Sequence, residues 1–257
     1  MGLTYAQSFL RSHIASKEDM MILEKSPQKA AELAKRDIGT VYGRAEDCIQ
    51  QSDLVIFAVK PQDSSVLFEH IKPLIDPQQV FLSIMAGVKL STISDSLGAE
   101  KVIRAMPNLP AQIGMGMTAF TSSDAVTRIE LVMVQNLLNT TGKTVYVERE
   151  EAIDAATAIS GSGPAYVWFF MKSMMDAARN MGFSYSEAEL LVSQTFRGAV
   201  ELFNKTDFTC EEWIEKVCSR GGTTEAALAS YDKNLVRDDI IAGAQAALDR
   251  AVELGNG

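Results

Sequence analysis

Residues 217–224 read Val-Cys-Ser-Arg-Gly-Gly-Thr-Thr, with two adjacent hydroxyls directly behind a pair of glycines. Paired glycines lose the most backbone entropy on ordering, so no helix is expected to run through Gly221-Gly222. The pair permits a turn that brings bare backbone close to a small ligand, with Thr223 and Thr224 beside it to form hydrogen bonds. Taken alone, the same turn also reads as a plain helix–helix connection. Two more compact signals lie upstream, Ser160-Gly-Ser-Gly-Pro-Ala-Tyr166 and Arg104-Ala-Met-Pro-Asn-Leu-Pro110. Cys218 adjoins the glycine turn, but no histidine lies near it in sequence to activate a thiolate. His13 and His70, the two histidines of the chain, read as ordinary surface or packing residues.

The elements that must position these residues follow from the pattern of apolar runs. Residues 20–24, 54–59, 80–84 and 102–105 are short and almost continuously apolar, as strands buried on both faces of a parallel sheet are. Helical spacing at 27–35 and 64–75 lies between them. This βαβ rhythm predicts an α/β, doubly wound Rossmann-type sheet. Residues 117–121 and 144–147 are expected as further strands, with a helix over 125–139. From about residue 150 only long helical patterns remain, at 151–159, 164–181, 186–204, 209–217, 223–231 and 237–254. Ser186-x-x-Glu189 and Thr209-x-x-Glu212 match the capping box, Pro164 suits a first helical turn, and Gly182 sits where a C-terminal glycine cap belongs. The expected domains are therefore 1–150, binding a dinucleotide, and 151–257, all-helical. Ala165-Tyr-Val-Trp-Phe-Phe-Met171 is apolar on every face, so it needs cover that a helical domain of this size cannot supply. An obligate homodimer built from the helical half is expected.

Composition narrows the function classes. The 257 residues are 47% hydrophobic and 22% charged, ordinary for a globular protein with a real core. A formal net charge of −9 argues against nucleic-acid binding or a polybasic membrane anchor. Cys48, Cys210 and Cys218 are too few and too scattered for a disulfide framework or a zinc site, so no metal is expected. No run reaches the length of a transmembrane helix and no signal peptide is present, so a cytoplasmic location is expected.

A doubly wound sheet binds its ligand at the carboxyl ends of its strands. Four segments lie at such ends. At the first, Glu24 could accept bonds from a ribose 2′-hydroxyl, favouring NAD, while Lys25 and Ser26 could instead hold the 2′-phosphate of NADP. The two cues conflict. At the second, Pro61 ends the ladder and forces Lys60 to be extended. At the third, Met85, Ala86 and Gly87 include small residues that let a flat ring or ribose approach the backbone. At the fourth, Asn108 could hydrogen-bond a cofactor or brace its own loop.

The three segments RAMPN, SGSGPAY and SRGGTT, in this order, closely resemble pyrroline-5-carboxylate reductase, and the resemblance covers nearly the whole chain. It implies reduction of 1-pyrroline-5-carboxylate to L-proline by hydride transfer from NADPH or NADH. It further implies that Ala58, Val59, Lys60 and Pro61 contact the cofactor. The turn of Ser219, Gly221, Gly222 and Thr223 would hold the substrate, and the Thr224 hydroxyl would meet the ring nitrogen. Substrate carboxylate on exposed amides at a helix N-terminus is physically sound. No buried base is required, because hydride attack on an iminium carbon needs mainly positioning. The family also joins its dimers into larger rings.

Two departures stand out. Arg220 occupies a position where the family usually has proline. The chain also begins Met1-Gly2-Leu3, with 3–13 reading as the first Rossmann helix, so that Gly2 alone matches the final glycine of the Gly-rich loop and the usual first strand is lacking. That predicts a sheet with unpaired edges in its middle, and it raises the alternative of a non-catalytic homologue that keeps the helical dimer but has lost nucleotide binding. A β-hydroxyacid dehydrogenase is disfavoured, since 160–170 contains no lysine and Lys172 lies too far along.

Overall fold

Residues 1–255 are described by the computed structural model, and the chain divides into two compact units. The first unit holds Met1–Ser162 and the end of the chain from Ala247. Its elements are α1 (Gly2–Arg11), β1 (Met21–Leu23), α2 (Pro27–Ala34), β2 (Thr40–Tyr42), β3 (Leu54–Phe57), α3 (Ser64–Ile71), β4 (Val80–Ser83), α4 (Leu90–Leu97), β5 (Val102–Met106), β6 (Gly116–Ser122), α5 (Arg128–Asn139), β7 (Gly142–Tyr146) and α6 (Glu151–Ala156). The second unit, Gly163–Ala246, contains α7 (Gly163–Asn180), α8 (Tyr185–Asn204), α9 (Cys210–Val217), α10 (Thr223–Lys233) and most of α11 (Val236–Gly255).

Strands β3-β4-β5-β6-β7 form one sheet in that order. Its neighbours run parallel except β5 and β6, which pair antiparallel. The parallel sheet expected from the sequence is present, with one antiparallel pair at β5 and β6. Residues 107–115 are too few to return the chain for parallel pairing, which takes a crossover of a dozen or more. Strand β2, three residues long, gave no usable period, and it pairs in parallel with β1 as a separate two-stranded sheet. No ladder among the described residues joins β1 to β3. The interrupted sheet agrees with the expected unpaired edges, and 2–11 form a helix rather than a strand.

The side chains of the large sheet alternate between two buried clusters. Val80, Leu82, Ile103, Ala105 and Phe120 pack with Tyr5 and Phe9 of α1 and with Val134 and Leu138 of α5. Phe57, Phe81 and Val102 pack on the other face with Phe68, Ile71, Ile93 and Leu97 of α3 and α4. Helix α1 is tied down by polar contacts as well. The Tyr5 hydroxyl lies 3.3 Å from Thr118 Oγ1, and Ser8 Oγ donates to the Thr140 carbonyl at 2.7 Å. Burial raises the Tyr5 phenol above its ordinary pKa, so it stays protonated. His13 is not on this helix: it follows the C-cap Ser12 with φ 53°.

The helical unit has little interior of its own. Ala188 and Val192 are its buried residues, while Trp168 is 53% exposed and Phe169 68%. Helix α8 starts earlier than expected. Its capping box is Ser184 with Glu187, and Ser186 and Glu189 lie within its first turns. The Thr209–Glu212 box forms as expected. By contacts, α6 belongs with the sheet, a dozen residues beyond the change of rhythm at 150, because α6 carries a partner for a charge buried in β5.

Candidate active site

Helix α1 begins hard against the end of β3. A Cβ on Gly2 would stand 2.8 Å from the Ala58 Cβ, so only glycine allows the helix to approach the strand this closely. This is the packing role of the last glycine in a dinucleotide-binding loop. The first turn of α1 carries no acidic residue and Met1 supplies no side-chain cap, which leaves its amides for an anion. Beside it, Ala58, Val59, Lys60 and Pro61 are all exposed. Lys60 is extended (ψ 144°) and Pro61 opens a single 3₁₀ turn, as the sequence predicts.

Segment 24–26 is organised by its own hydrogen bonds. The Glu24 carboxylate accepts from the Ser26 amide at 2.8 Å, and the Ser26 hydroxyl caps α2 by accepting from the Lys29 amide. Lys25 is solvent-exposed and 4.0 Å from Asp63. Glu24 therefore braces a loop from which Lys25 projects. Met85 is buried among α3 and α4 side chains, and its amide donates to the Ser83 hydroxyl at 3.3 Å. Gly87 has φ 75°, and the Leu254 backbone of α11 lies 3.2 Å from where its Cβ would be. At Gly87 the missing side chain thus makes room for the chain's own last helix.

Asn108 takes the bracing alternative. Its Nδ2 donates to the Ser160 carbonyl at 3.0 Å, and its Oδ1 accepts from the Met117 amide at 2.9 Å. The Ser160 end of that contact sits in a π-helical turn, Thr157–Gly161, which continues α6. A Cβ on Gly161 would meet the Met106 Cε at 2.7 Å. The MPN and SGSG segments are therefore one packed unit. Such π turns widen a helix at the cost of weaker hydrogen bonds and concentrate at functional sites.

Sequence reasoning missed what holds this unit in place. Arg104, on β5, is 1% exposed, donating from Nη2 to Asp154 at 2.6 Å and from Nη1 to Glu150 at 2.9 Å. Glu150 also accepts the Leu90 amide at 2.8 Å, so one carboxylate ties β5 to the start of α4. The signal was available: a guanidinium inside an apolar strand must have partners, and Glu150 and Asp154 stand one helical turn apart.

Gly221-Gly222 form a turn between α9 and α10, as the sequence predicts. The Gly222 amide donates to the Ser219 carbonyl at 2.9 Å, closing a four-residue turn in which Gly221 has φ 71°. That is the positive φ a type II turn requires at its third position, and Arg220 occupies the second, where proline is favoured. A Cβ on Gly222 would collide with Ser219 Oγ at 2.5 Å. Both glycines are thus required by the turn itself. Thr223 and Thr224 open α10, whose N-cap is Gly222 and has no side-chain capping bond. Among the described residues the Thr224 hydroxyl is engaged in no hydrogen bond, so it does not cap the helix. Thr224 borders an apolar groove of about 270 Å³ with Trp213, Ile214, Val217 and Leu228. Cys218 precedes the turn and is partly buried; like the buried Cys48 and the exposed Cys210, it is a free thiol. Among the described residues no group of three His, Cys, Asp or Glu could hold a metal, and no helix is long and apolar enough to cross a membrane.

A family model described as pyrroline-5-carboxylate reductase dimerisation matches residues 150–254, and one described as NADP oxidoreductase coenzyme F420-dependent matches 2–87. A pyrroline-5-carboxylate reductase of Pseudomonas aeruginosa is 33% identical over 233 residues, covering 89% of this chain and 85% of that protein. The chain belongs to the pyrroline-5-carboxylate reductase family. Pyrroline-5-carboxylate reductase 2 of Bacillus subtilis is 32% identical over 99% of this chain and 91% of its own. Among solved structures, a Plasmodium falciparum pyrroline carboxylate reductase with NADP bound superposes with a TM-score of 0.88 at 28% identity, covering 99% of this chain and 94% of that one. The family's dimerisation region coincides with the helices whose apolar side chains lie exposed in the single chain.

Proposed function

We propose that this chain reduces 1-pyrroline-5-carboxylate to L-proline with NADPH or NADH. The observation that carries the reading is the Ser219–Thr224 turn: a fixed glycine backbone, first-turn amides of α10 with no capping side chain, and an unengaged Thr224 hydroxyl. It stands on a chain whose relatives bear this activity's name. The amides of Thr223 and Thr224 hold the substrate carboxylate, where the helix dipole favours an anion. Thr224 orients the imine nitrogen, and Ser219, Gly221 and Gly222 shape the turn. No side chain here has to serve as a buried base, since the imine takes its proton from water.

The nicotinamide dinucleotide supplies the hydride when bound. The amides at Gly2 and the start of α1 would hold its pyrophosphate, and the segments 24–26, 58–61 and 85–87 would line its ribose and ring. Asn108 serves that site as a brace. The functional division follows the change of rhythm near 150, with 1–150 for the cofactor and 151–257 for substrate and dimerisation. A second copy covers Trp168 and Phe169, and such dimers assemble into rings. Three free cysteines and the acidic balance fit a cytoplasmic enzyme that binds no nucleic acid. The test is pyrroline-5-carboxylate-dependent oxidation of NADPH and of NADH by the purified chain. No oxidation of either above the cofactor-only control sinks the reading.

A further inference from the structure

Among the described residues four helices carry a glutamate at the third residue after the N-cap, and one of the four is wired differently. In α5, α8 and α9, Glu130, Glu187 and Glu212 accept the amides of Thr127, Ser184 and Thr209, whose hydroxyls accept the glutamates' own amides in return. These are complete capping boxes. In α10 the equivalent residue is Glu225, and its N-cap is Gly222, which has no side chain to return the bond. Glu225 reaches one residue further back, and its Oε2 accepts from the Gly221 amide at 2.6 Å.

Both changes act in one direction. Deleting the N-cap hydroxyl leaves the first-turn amides without an intramolecular acceptor, as a site for an external carboxylate requires. Moving the glutamate's bond to Gly221 fastens the residue held at φ 71°, the one most free to leave the turn. We infer that Glu225 is a positioning residue for the substrate carboxylate, acting through the backbone of Gly221. This rests on the functional reading of the Ser219–Thr224 turn. With Arg220 where a proline would stiffen the turn, Glu225 is the side chain that pre-orders it. Losing that tie makes the substrate bear the ordering entropy, which weakens binding rather than chemistry.

The test compares Glu225→Ala, Glu225→Gln and the double variant Glu225→Ala/Arg220→Pro in the full chain. Glu225→Ala is expected to raise KM for pyrroline-5-carboxylate about 3- to 10-fold, below the usual range for a charge-assisted bond because the carboxylate is exposed. The kcat and the Kd for NADPH should stay within about twofold, since the tie touches neither the reacting atoms nor the cofactor. Glu225→Gln keeps an acceptor and should restore most of the KM. The added proline should do so by an independent route, because it fixes φ at the second turn position. An unchanged or lowered KM in Glu225→Ala overturns the inference, the lowered value identifying Glu225 as a competitor of the substrate anion. A lowered melting temperature with normal KM overturns it too. Hydrogen exchange of the peptide spanning 217–225 judges Glu225 without turnover: faster exchange in Glu225→Ala supports the tie, and unchanged exchange removes it. An inactive wild-type chain would count against the functional reading alone.

Discussion

Removing Asp154 should expose how much of the protein depends on one buried charge. The Arg104 and Asp154 side chains are 1% and 8% exposed, and Glu150, the second partner of Arg104, is 25% exposed. The guanidinium Nε is buried with no partner, so Arg104 has no spare bond to fall back on. In Asp154→Ala the cation keeps only Glu150. Breaking a buried pair by deleting one partner costs about 3–5 kcal/mol, and the surviving carboxylate places this case near about 3. For a chain of this size each kcal/mol moves Tm by about 2–4 °C, so a fall of about 6–12 °C is expected. Thermal unfolding followed by circular dichroism must compare variants at one protomer concentration, because assembly contributes to apparent stability. Arg104→Met/Asp154→Ala removes charge and partner together and should regain most of the loss, since apolar replacement of a buried pair is often neutral. A fall of less than about 2 °C, or a double variant no more stable than Asp154→Ala, refutes the argument that an unpaired Arg104 is the cause.

Other substitutions probe the site directly. Thr224→Ala should lower kcat/KM for pyrroline-5-carboxylate by about 10- to 150-fold, as loss of one bond to a charged group does, with NADPH affinity nearly intact. Thr224→Ser should retain most activity, and normal kinetics in the alanine variant would take Thr224 off the catalytic path. Gly2→Ala places a methyl 2.8 Å from the Ala58 Cβ and must push α1 off β3, an overpacking worth about 1–3 kcal/mol. Its Kd for NADPH should weaken while the far-ultraviolet spectrum is unchanged, and an unchanged Kd would separate the close approach from cofactor binding. Sedimentation at micromolar concentration should show no monomer, and Trp168→Asp should produce it, since the side chain is 53% exposed in the single chain and the proposed dimer would cover it. A monomeric wild type contradicts the proposed cover.

Local physics made much of this protein legible in its sequence. The apolar runs at 54–57, 80–83 and 102–106 announce buried strands because no polar residue other than Arg104 and Ser83 interrupts them, and Thr209 with Glu212 announces a helix start because both bonds form within four residues. The glycine turn was likewise visible, since Gly-Gly excludes a helix whatever surrounds it. The rest depended on groups far apart in sequence. The partners of Arg104 lie 46 and 50 residues away, and nothing in VIRAM names them. The bond from Asn108 to the Ser160 carbonyl depends on where α6 ends in a π turn, 52 residues away. The antiparallel reversal at β6 followed from a connection too short to cross over, and Gly87 was filled by Leu254, 167 residues further on. Periodicity, capping and turn chemistry act over a few residues and can be read along the chain. Partnering of buried charge and filling of empty space are decided by packing, which brings together residues that the sequence keeps apart.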